Sequence, residues 1–205
     1  MRRLHFSGCN NLVEFYGKYA SEDGKYLFDG DTLLAVAPAG LTELTLPEGI
    51  TTIGEYAVGG CKQLLSITIP EGVASIGKGA FSKCEELTEI SIPTSVSYIG
   101  AEAFQLCYKL TDVTIPEGVT TIEPKTFFNC NSLKRVSIPD SVTTISDNAF
   151  SVCPSLTDIT IPESVTKIGQ GAFGGCKWLK EITIPEGITA LYDYTFSGCE
   201  RLSTL

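Results

Sequence analysis

The chain has 205 residues, of which 43% are hydrophobic and 19% charged, a composition that can bury a sizeable core. Its net charge of −9 and its scattered lysines and arginines argue against binding to nucleic acid or to anionic membrane surfaces, which need concentrated positive charge. It contains no run of 18 apolar residues and opens with no basic-then-apolar leader, so we expect no membrane insertion in this segment and place any export signal upstream of it.

The N-terminal segment holds two units that differ from the regular repeats beyond residue 40. We predict a partial repeat over residues 4–15, where "LHFSGCNNL" carries Cys9 and Leu12 at phases that recur later. Residues 16–40 form an irregular unit, because Leu12 and Leu41 share a phase but lie 29 residues apart. Within it, "KYLFDGDTLLAVAP" predicts a β-hairpin that turns at Asp29-Gly30-Asp31.

From residue 41 to residue 201 the sequence repeats seven times with a period of 23 residues and no insertion or deletion. Three residue types mark the period, each at its own phase. Prolines recur at Pro47, Pro70, Pro93, Pro116, Pro139, Pro162 and Pro185. Cysteines recur at Cys61, Cys84, Cys107, Cys130, Cys153, Cys176 and Cys199. Phenylalanines recur at Phe81, Phe104, Phe127, Phe150, Phe173 and Phe196, with Val58 in the first copy. Residues 202–205 begin a further copy.

Each unit predicts a short strand, a proline turn, a second extended segment and a compact turn. In the copy that starts at Leu156, "LTDITIP" alternates towards its end as a strand does. Pro162 cannot donate to a strand ladder and ends the strand, and "PES" then turns the chain. The segment "VTKI" favours a second short extended stretch, whereas "GQGAFGGC" is too short for a helix and predicts one helical or 3₁₀ turn.

A 23-residue unit cannot bury its own apolar side chains, so the units must stack and align each phase into a continuous row. We therefore predict a single domain over residues 1–205, a right-handed solenoid. One parallel sheet, whose strands end at Pro47 through Pro185, should line one face, with short turns or 3₁₀ segments on the other. Both ends are predicted to be open coils without a polar cap, as in a piece of a longer array or an array capped by another element.

The repeat resembles the BspA-like type of leucine-rich repeat. That type has the pattern L-x-x-L-x-L-P, then an apolar pair with Ile-Gly, then Ala-Phe-x-x-Cys, and it is matched by "LTEISIPTSVSYIGAEAFQLCYK", "LTDVTIPEGVTTIEPKTFFNCNS" and "LTDITIPESVTKIGQGAFGGCKW". The resemblance covers nearly the whole chain. It implies a bacterial surface or secreted protein, or a related protist surface protein, and relatives are associated with adhesion to host extracellular proteins and other cells. Similar hairpin units interrupt other arrays of this type. The resemblance implies the fold but no particular ligand, because sites vary on a shared fold.

The cysteine row admits disulfide, metal-binding, redox and purely structural interpretations. Disulfides need cysteines that face each other, whereas residues of one phase point the same way, and seven of them cannot all pair. Metal sites need converging ligands, and the single histidine, His5, lies outside this phase. We predict that the seven cysteines, together with Cys9, are reduced and buried and pack as small hydrophobic groups.

Two rows of the first strand should point away from the core. One carries hydroxyls throughout, at Thr45, Thr68, Ser91, Thr114, Ser137, Thr160 and Thr183. It is either a solvated sheet face or a track that hydrogen-bonds a glycan or a peptide. The other is acidic at five of seven positions, Glu43, Ser66, Glu89, Asp112, Arg135, Asp158 and Glu181. It is either solvated or attracts a basic partner.

Two further sets of side chains are exposed candidates. The turn row consists of Glu48, Glu71, Thr94, Glu117, Asp140, Glu163 and Glu186. Single carboxylates along a turn lack the converging oxygens that calcium needs, so we predict that they are solvated. Aromatic residues at variable phases, predicted to be exposed, are Tyr56, Tyr98, Tyr108, Trp178, Tyr192 and Tyr194. Trp178 replaces small, polar or charged residues of other units and is either a binding hot spot or an ordinary surface ring.

Catalysis is not expected. His5 has no supporting triad, no glycine-rich phosphate loop is present, and the carboxylates form repetitive rows rather than a unique site. We expect neither a metal nor another cofactor. The first hypothesis is a cell-surface or secreted module that binds an extracellular protein through the solenoid face. The alternatives are a structural spacer that displays other domains and a glycan-binding surface.

Overall fold

The computed structural model describes Phe6, Cys9 and residues 11–205, which form a solenoid of strands and turns with no helix in that part of the chain. The partial repeat predicted over residues 4–15 lies partly outside these described residues, and His5 lies wholly outside them. The strands are β1 (Tyr26–Asp29), β2 (Thr32–Val36), β3 (Glu43–Thr45), β4 (Thr52–Ile53), β5 (Ser66–Thr68), β6 (Ser75–Ile76), β7 (Tyr98–Ile99), β8 (Asp112–Thr114), β9 (Thr121–Ile122), β10 (Arg135–Ser137), β11 (Thr144–Ile145), β12 (Asp158–Ile159) and β13 (Lys167–Ile168).

Two sets of strands alternate along the repeat. The front strands, which precede the proline turns, are β3, β5, β8, β10 and β12, and the back strands, which come after those turns, are β4, β6, β7, β9, β11 and β13. A three-residue front strand buries only its central apolar side chain, which is Val113 in β8 and Val136 in β10. This alternation is the pattern of a sheet with one face on the core and one in solvent.

The front strands form two parallel sheets, and the prediction of a single continuous sheet is wrong. β3 pairs with β5, and β8, β10 and β12 pair with one another, always with partners 23 residues apart. Residues 89–91 stand between the two sheets without strand pairing. The amide of Ile115 donates to the carbonyl of Ser137 at 3.0 Å, whereas the equivalent amide of Ile92 has no acceptor among the described residues.

The irregular N-terminal unit is joined to the back strands. β1 and β2 pair antiparallel on either side of Gly30, and β2 then pairs in parallel with β4, which leads on to β6 and β7. A separate back sheet contains β9, β11 and β13. The Tyr26 hydroxyl donates to the carbonyl of Thr45 at 3.0 Å and so ties the unit to the first front strand. Beneath it lies a small separate core of Phe15, Leu27, Ala35 and Ala37.

The compact part of each unit is a succession of tight turns, which agrees with the short turns predicted for this side, although "GQGAFGGC" does not form the single helical or 3₁₀ turn predicted for it. Two positions per unit have a positive φ, as at Glu102 (61°) and Leu106 (63°), even where the residue is not glycine. The amide of Glu102 donates to the carbonyl of Pro124 at 3.0 Å, and the amide of Leu106 to that of Phe128 at 2.9 Å. Equivalent bonds recur from coil to coil, and we call this series the turn ladder. It ties neighbouring coils through backbone atoms alone.

The main core runs the length of the stack. Its largest side chains are Phe81, Phe104, Phe127, Phe150 and Phe173, all fully buried, whereas Phe196 at the end of the row is only partly buried. Successive rings are 5.4–5.7 Å apart between centroids and tilt by only 5–9°. Each ring therefore fills the interface between two coils, as the 23-residue period requires.

Candidate binding face

The exposed side chains of the front strands, and those at the equivalent positions of the units without a front strand, make up the front face. All seven members of the predicted hydroxyl row, from Thr45 to Thr183, are exposed there. In the acidic row, Ser66 and Asp112 are partly buried and the other members are exposed. Both rows therefore lie where a partner can reach them.

The front hydroxyls differ from hydroxyls elsewhere in the repeat. Thr88 donates its hydroxyl to the carbonyl of Leu65 at 3.2 Å, and Ser95 donates to that of Val73 at 2.8 Å, so these groups serve the contact between coils. The side-chain hydroxyls of Thr114, Ser137 and their row have no hydrogen-bond partner among the described residues. Their donors and acceptors are thus available to a ligand.

A groove of about 700 Å³ lies over β8, β10 and β12. Its hydroxyl lining is Ser91, Thr114, Ser137 and Thr160, and its charged lining is Asp112, Arg135 and Asp158. The structure thus brings seven of the predicted face residues into one depression. A second depression of about 740 Å³ near the C-terminal coil includes Glu181 and Thr183. The predicted residues Glu43, Thr45, Ser66, Thr68 and Glu89 border neither depression.

Arg135 is paired within the groove. Its Nε donates to Oδ1 of Asp112 at 2.7 Å, and this hydrogen bond is the main reason why the pKa of Asp112 lies below its ordinary value. Arg135 also stands in register with Asp158 on the other side, but Asp158 has no ion pair among the described residues. The arginine therefore neutralises one acid of the row and leaves the next one uncompensated.

Trp178 lies outside the groove, with 47% of its surface exposed. The guanidinium of Arg201 sits 3.5 Å from the ring centroid, so a cation–π contact covers one face of the indole. Sequence reasoning missed this pair, although the separation of 23 residues makes the two side chains neighbours in one row. Tyr56 and Tyr108 are only partly exposed, contrary to prediction, and the Tyr56 hydroxyl donates to Oε2 of Glu102 at 3.0 Å.

The thiols of the cysteine row act as hydrogen-bond donors as well as packing groups. Six are buried, Cys199 is partly buried, and all are free. Cys107 donates to the carbonyl of Phe81 in the preceding coil at 3.2 Å, and five equivalent bonds repeat this contact. Burial raises the pKa of Cys107 to about 12. The 23-residue period predicts the cysteine row, but it does not indicate which carbonyl groups accept the hydrogen bonds of the thiols.

Cys9 is exposed, so the prediction that it is buried like the others is wrong. The physical reason lies in its segment, where Phe6 and Leu12 pack against the small N-terminal core and not on the cysteine row.

Metal binding and membrane insertion receive no support from the described part of the chain. Within it, no group of three or more His, Cys, Asp or Glu residues is placed to hold a metal ion. The turn row from Glu48 to Glu186 is exposed to solvent. None of the described residues belongs to a helix with the length and apolar character needed to cross a bilayer.

Comparison with known proteins agrees with the repeat. A family model described as "BspA type Leucine rich repeat region" matches residues 37–157 and 143–205, in six copies. A leucine-rich repeat protein from T. pallidum has 26% identity and a TM-score of 0.59, and the match covers 81% of this chain and 87% of that one. A leucine-rich cell surface protein from Faecalibacterium prausnitzii has 24% identity and a TM-score of 0.55, with 93% and 83% covered. No curated protein matches.

Proposed function

Because the chain belongs to the BspA-type leucine-rich repeat family, we propose that it is a non-enzymatic module that binds a protein partner through its front face. The observation that carries this proposal is the groove over β8, β10 and β12, where hydroxyls without internal partners lie beside Asp112, Arg135 and Asp158. Solenoids of this family are generally non-catalytic, which favours binding over chemistry.

The scaffold suits recognition by side chains. Front-strand residues are held by strand pairing on one side of the coil and by the turn ladder on the other. A partner therefore meets a surface whose backbone is already ordered, and this lowers the entropy that binding must overcome. Neighbouring coils also place one hydroxyl and one variable side chain at each step of about 4.8 Å.

We place the module outside the bacterial cell, on its surface or secreted, with adhesion to an extracellular protein as its role. The similar protein from F. prausnitzii is described as a cell surface protein. The six buried thiols are compatible with an oxidising environment, because burial keeps thiols such as Cys107 and Cys153 protonated and out of reach of oxidants.

A screen against immobilised extracellular matrix proteins and glycans tests the proposal. In the blocking variant, Ser137→Tyr and Thr160→Tyr fill the groove, and in the control variant, Thr143→Tyr and Thr166→Tyr place the same rings at exposed positions of another row. We expect the blocking variant to bind its partner at least about tenfold more weakly, and the control variant to bind like the wild type.

The screen also separates the alternatives. If both variants bind the partner equally well, the binding site does not lie on the front face. Binding of glycans alone would favour the second candidate, a glycan receptor, for which the free hydroxyl row is the supporting observation. If neither class binds, the role of a structural spacer explains the protein better.

A further inference from the structure

We propose that the front face accepts an extended segment of its partner that carries lysines or arginines, and that these cations lie against Glu89, Asp158 and Glu181. This inference rests on the proposed function, since it names the chemistry of the partner at the same surface. The occupant is a polypeptide segment, not a neutral glycan.

Charge complementarity is the first argument. The acidic row holds five carboxylates in seven positions, and the only opposing charge in it, Arg135, is taken up by Asp112. Glu89, Asp158 and Glu181 are exposed and have no ion pair among the described residues. The turn after each front strand adds a row with six carboxylates in seven positions. A partner that covers this face must bring positive charge, or it would leave carboxylates without compensation.

Some acids elsewhere on the solenoid are neutralised by lysines of a neighbouring coil, as in Lys62–Glu85 at 2.8 Å and Lys177–Glu200 at 2.9 Å, whereas others, such as Glu22 and Glu86, have no ion pair among the described residues. Such pairs neutralise the surface on which they lie. Among the described residues of the front face, only the Arg135–Asp112 pair does so, and the acids on either side of it have no ion pair there.

The length of the acidic row suits a short extended segment. Glu89 and Glu181 are four units apart, and four strand spacings of about 4.8 Å amount to about 19 Å. An extended chain covers that distance with about six residues. Side chains of such a chain alternate between two sides, so residues at every second position can face the acids. The adjoining hydroxyls of Thr114 and Ser137 can then bond its backbone groups.

The probe is a synthetic nonapeptide of alternating lysine and serine, with a glutamate–serine nonapeptide as its counterpart. The wild-type chain should bind the lysine peptide, and raising the salt from about 0.05 M to about 0.5 M should weaken binding several-fold, because screening shortens the reach of exposed charges. Neutralising the row with Glu89→Gln, Asp158→Asn and Glu181→Gln should weaken it about tenfold, as expected for the loss of three exposed ion pairs.

A variant of equal net charge provides the control. Glu22→Gln, Asp29→Asn and Glu86→Gln remove three exposed carboxylates that lie outside the front face. This variant should bind the lysine peptide like the wild type. Equal weakening in both triple variants would mean that only net charge attracts the peptide, and the inference would be wrong. It would also be wrong if the wild type bound the glutamate peptide as well as the lysine peptide, or bound neither.

The two proposals fail in different ways. If the blocking variant no longer binds the partner but neutralising Glu89, Asp158 and Glu181 has no effect, the front face is the binding site and the inference of a basic segment is wrong. If neutral oligosaccharides bind the front face and the lysine peptide does not, the inference is overturned in favour of a glycan. If the blocking variant keeps its partner, the proposed function itself is wrong.

Discussion

Phe104 is the position at which the stacking of the coils can be tested most directly. Its ring is fully buried and lies 5.4 Å from the rings of both Phe81 and Phe127. Phe104→Ala would leave a cavity at two coil interfaces. The neighbours cannot close it easily, because the amide of Phe104 is bonded to the carbonyl of Thr126 at 2.9 Å and fixes the spacing. We expect a loss of about 3–5 kcal/mol in the free energy of unfolding.

Urea denaturation of matched variants measures this loss from the midpoint and the slope of each transition. Phe196→Ala should cost clearly less, because that ring is only partly buried and stacks on Phe173 alone. Trp178→Ala should lower the free energy of unfolding by about 1 kcal/mol or less, mainly because the contact with Arg201 is lost. If Trp178→Ala proved more damaging than Phe104→Ala, our assignment of core and surface phases would be refuted.

Three further outcomes are expected. At about pH 8 a thiol reagent should modify only Cys9 and Cys199 in the native chain and the other six cysteines after unfolding, whereas three native disulfides would contradict this. The urea midpoint should fall as the pH rises from about 9 towards about 12. Burial raises the pKa of Cys107 and its neighbours, so these thiols stay protonated in the folded chain at a pH at which the unfolded chain releases their protons. A midpoint that stays constant over this range would contradict the prediction. Val152→Gly should raise the free energy of unfolding by about 0.5–1 kcal/mol. Val152 is β-branched but has a φ of 59°, a conformation that glycine adopts more easily, and the next coil has Gly175 at the same position. A lower melting temperature of the variant would contradict this prediction.

The core could be predicted from the sequence because a solenoid buries the same phase in every coil. Phe104 and Cys107 recur at 23-residue steps, and their rows are buried along the interior of the stack. The front hydroxyls could be predicted for the same reason, since strand alternation fixes which side chains avoid the core. Their convergence in a groove could not, because it depends on where β8, β10 and β12 lie relative to residues 90–92.

The break in the front sheet illustrates the limit of a periodic pattern. The unit around Ile90 has the same leucine, proline, phenylalanine and cysteine as the five units before or after it that have a phenylalanine, so the period contains no sign of the break. Strand pairing depends on backbone separation, which the identity of the row residues does not specify. The contact between Trp178 and Arg201 could have been predicted from the sequence, because the two residues are one period apart in the same row. The period alone, however, does not indicate which rows have side chains long enough to touch.

The turn ladder makes the coil an exchangeable part. Its bonds join backbone atoms, as between Leu106 and Phe128, so they form whatever side chains the adjoining units carry. A whole number of 23-residue units can then be inserted or removed with every row rejoined, whereas an insertion of another length would bring phenylalanine opposite the wrong phase. Each added unit lengthens the front face by about 4.8 Å and contributes one more hydroxyl and one more variable position. The reach of the surface and its pattern of charge can therefore be altered by recombining units, without redesign of the interior.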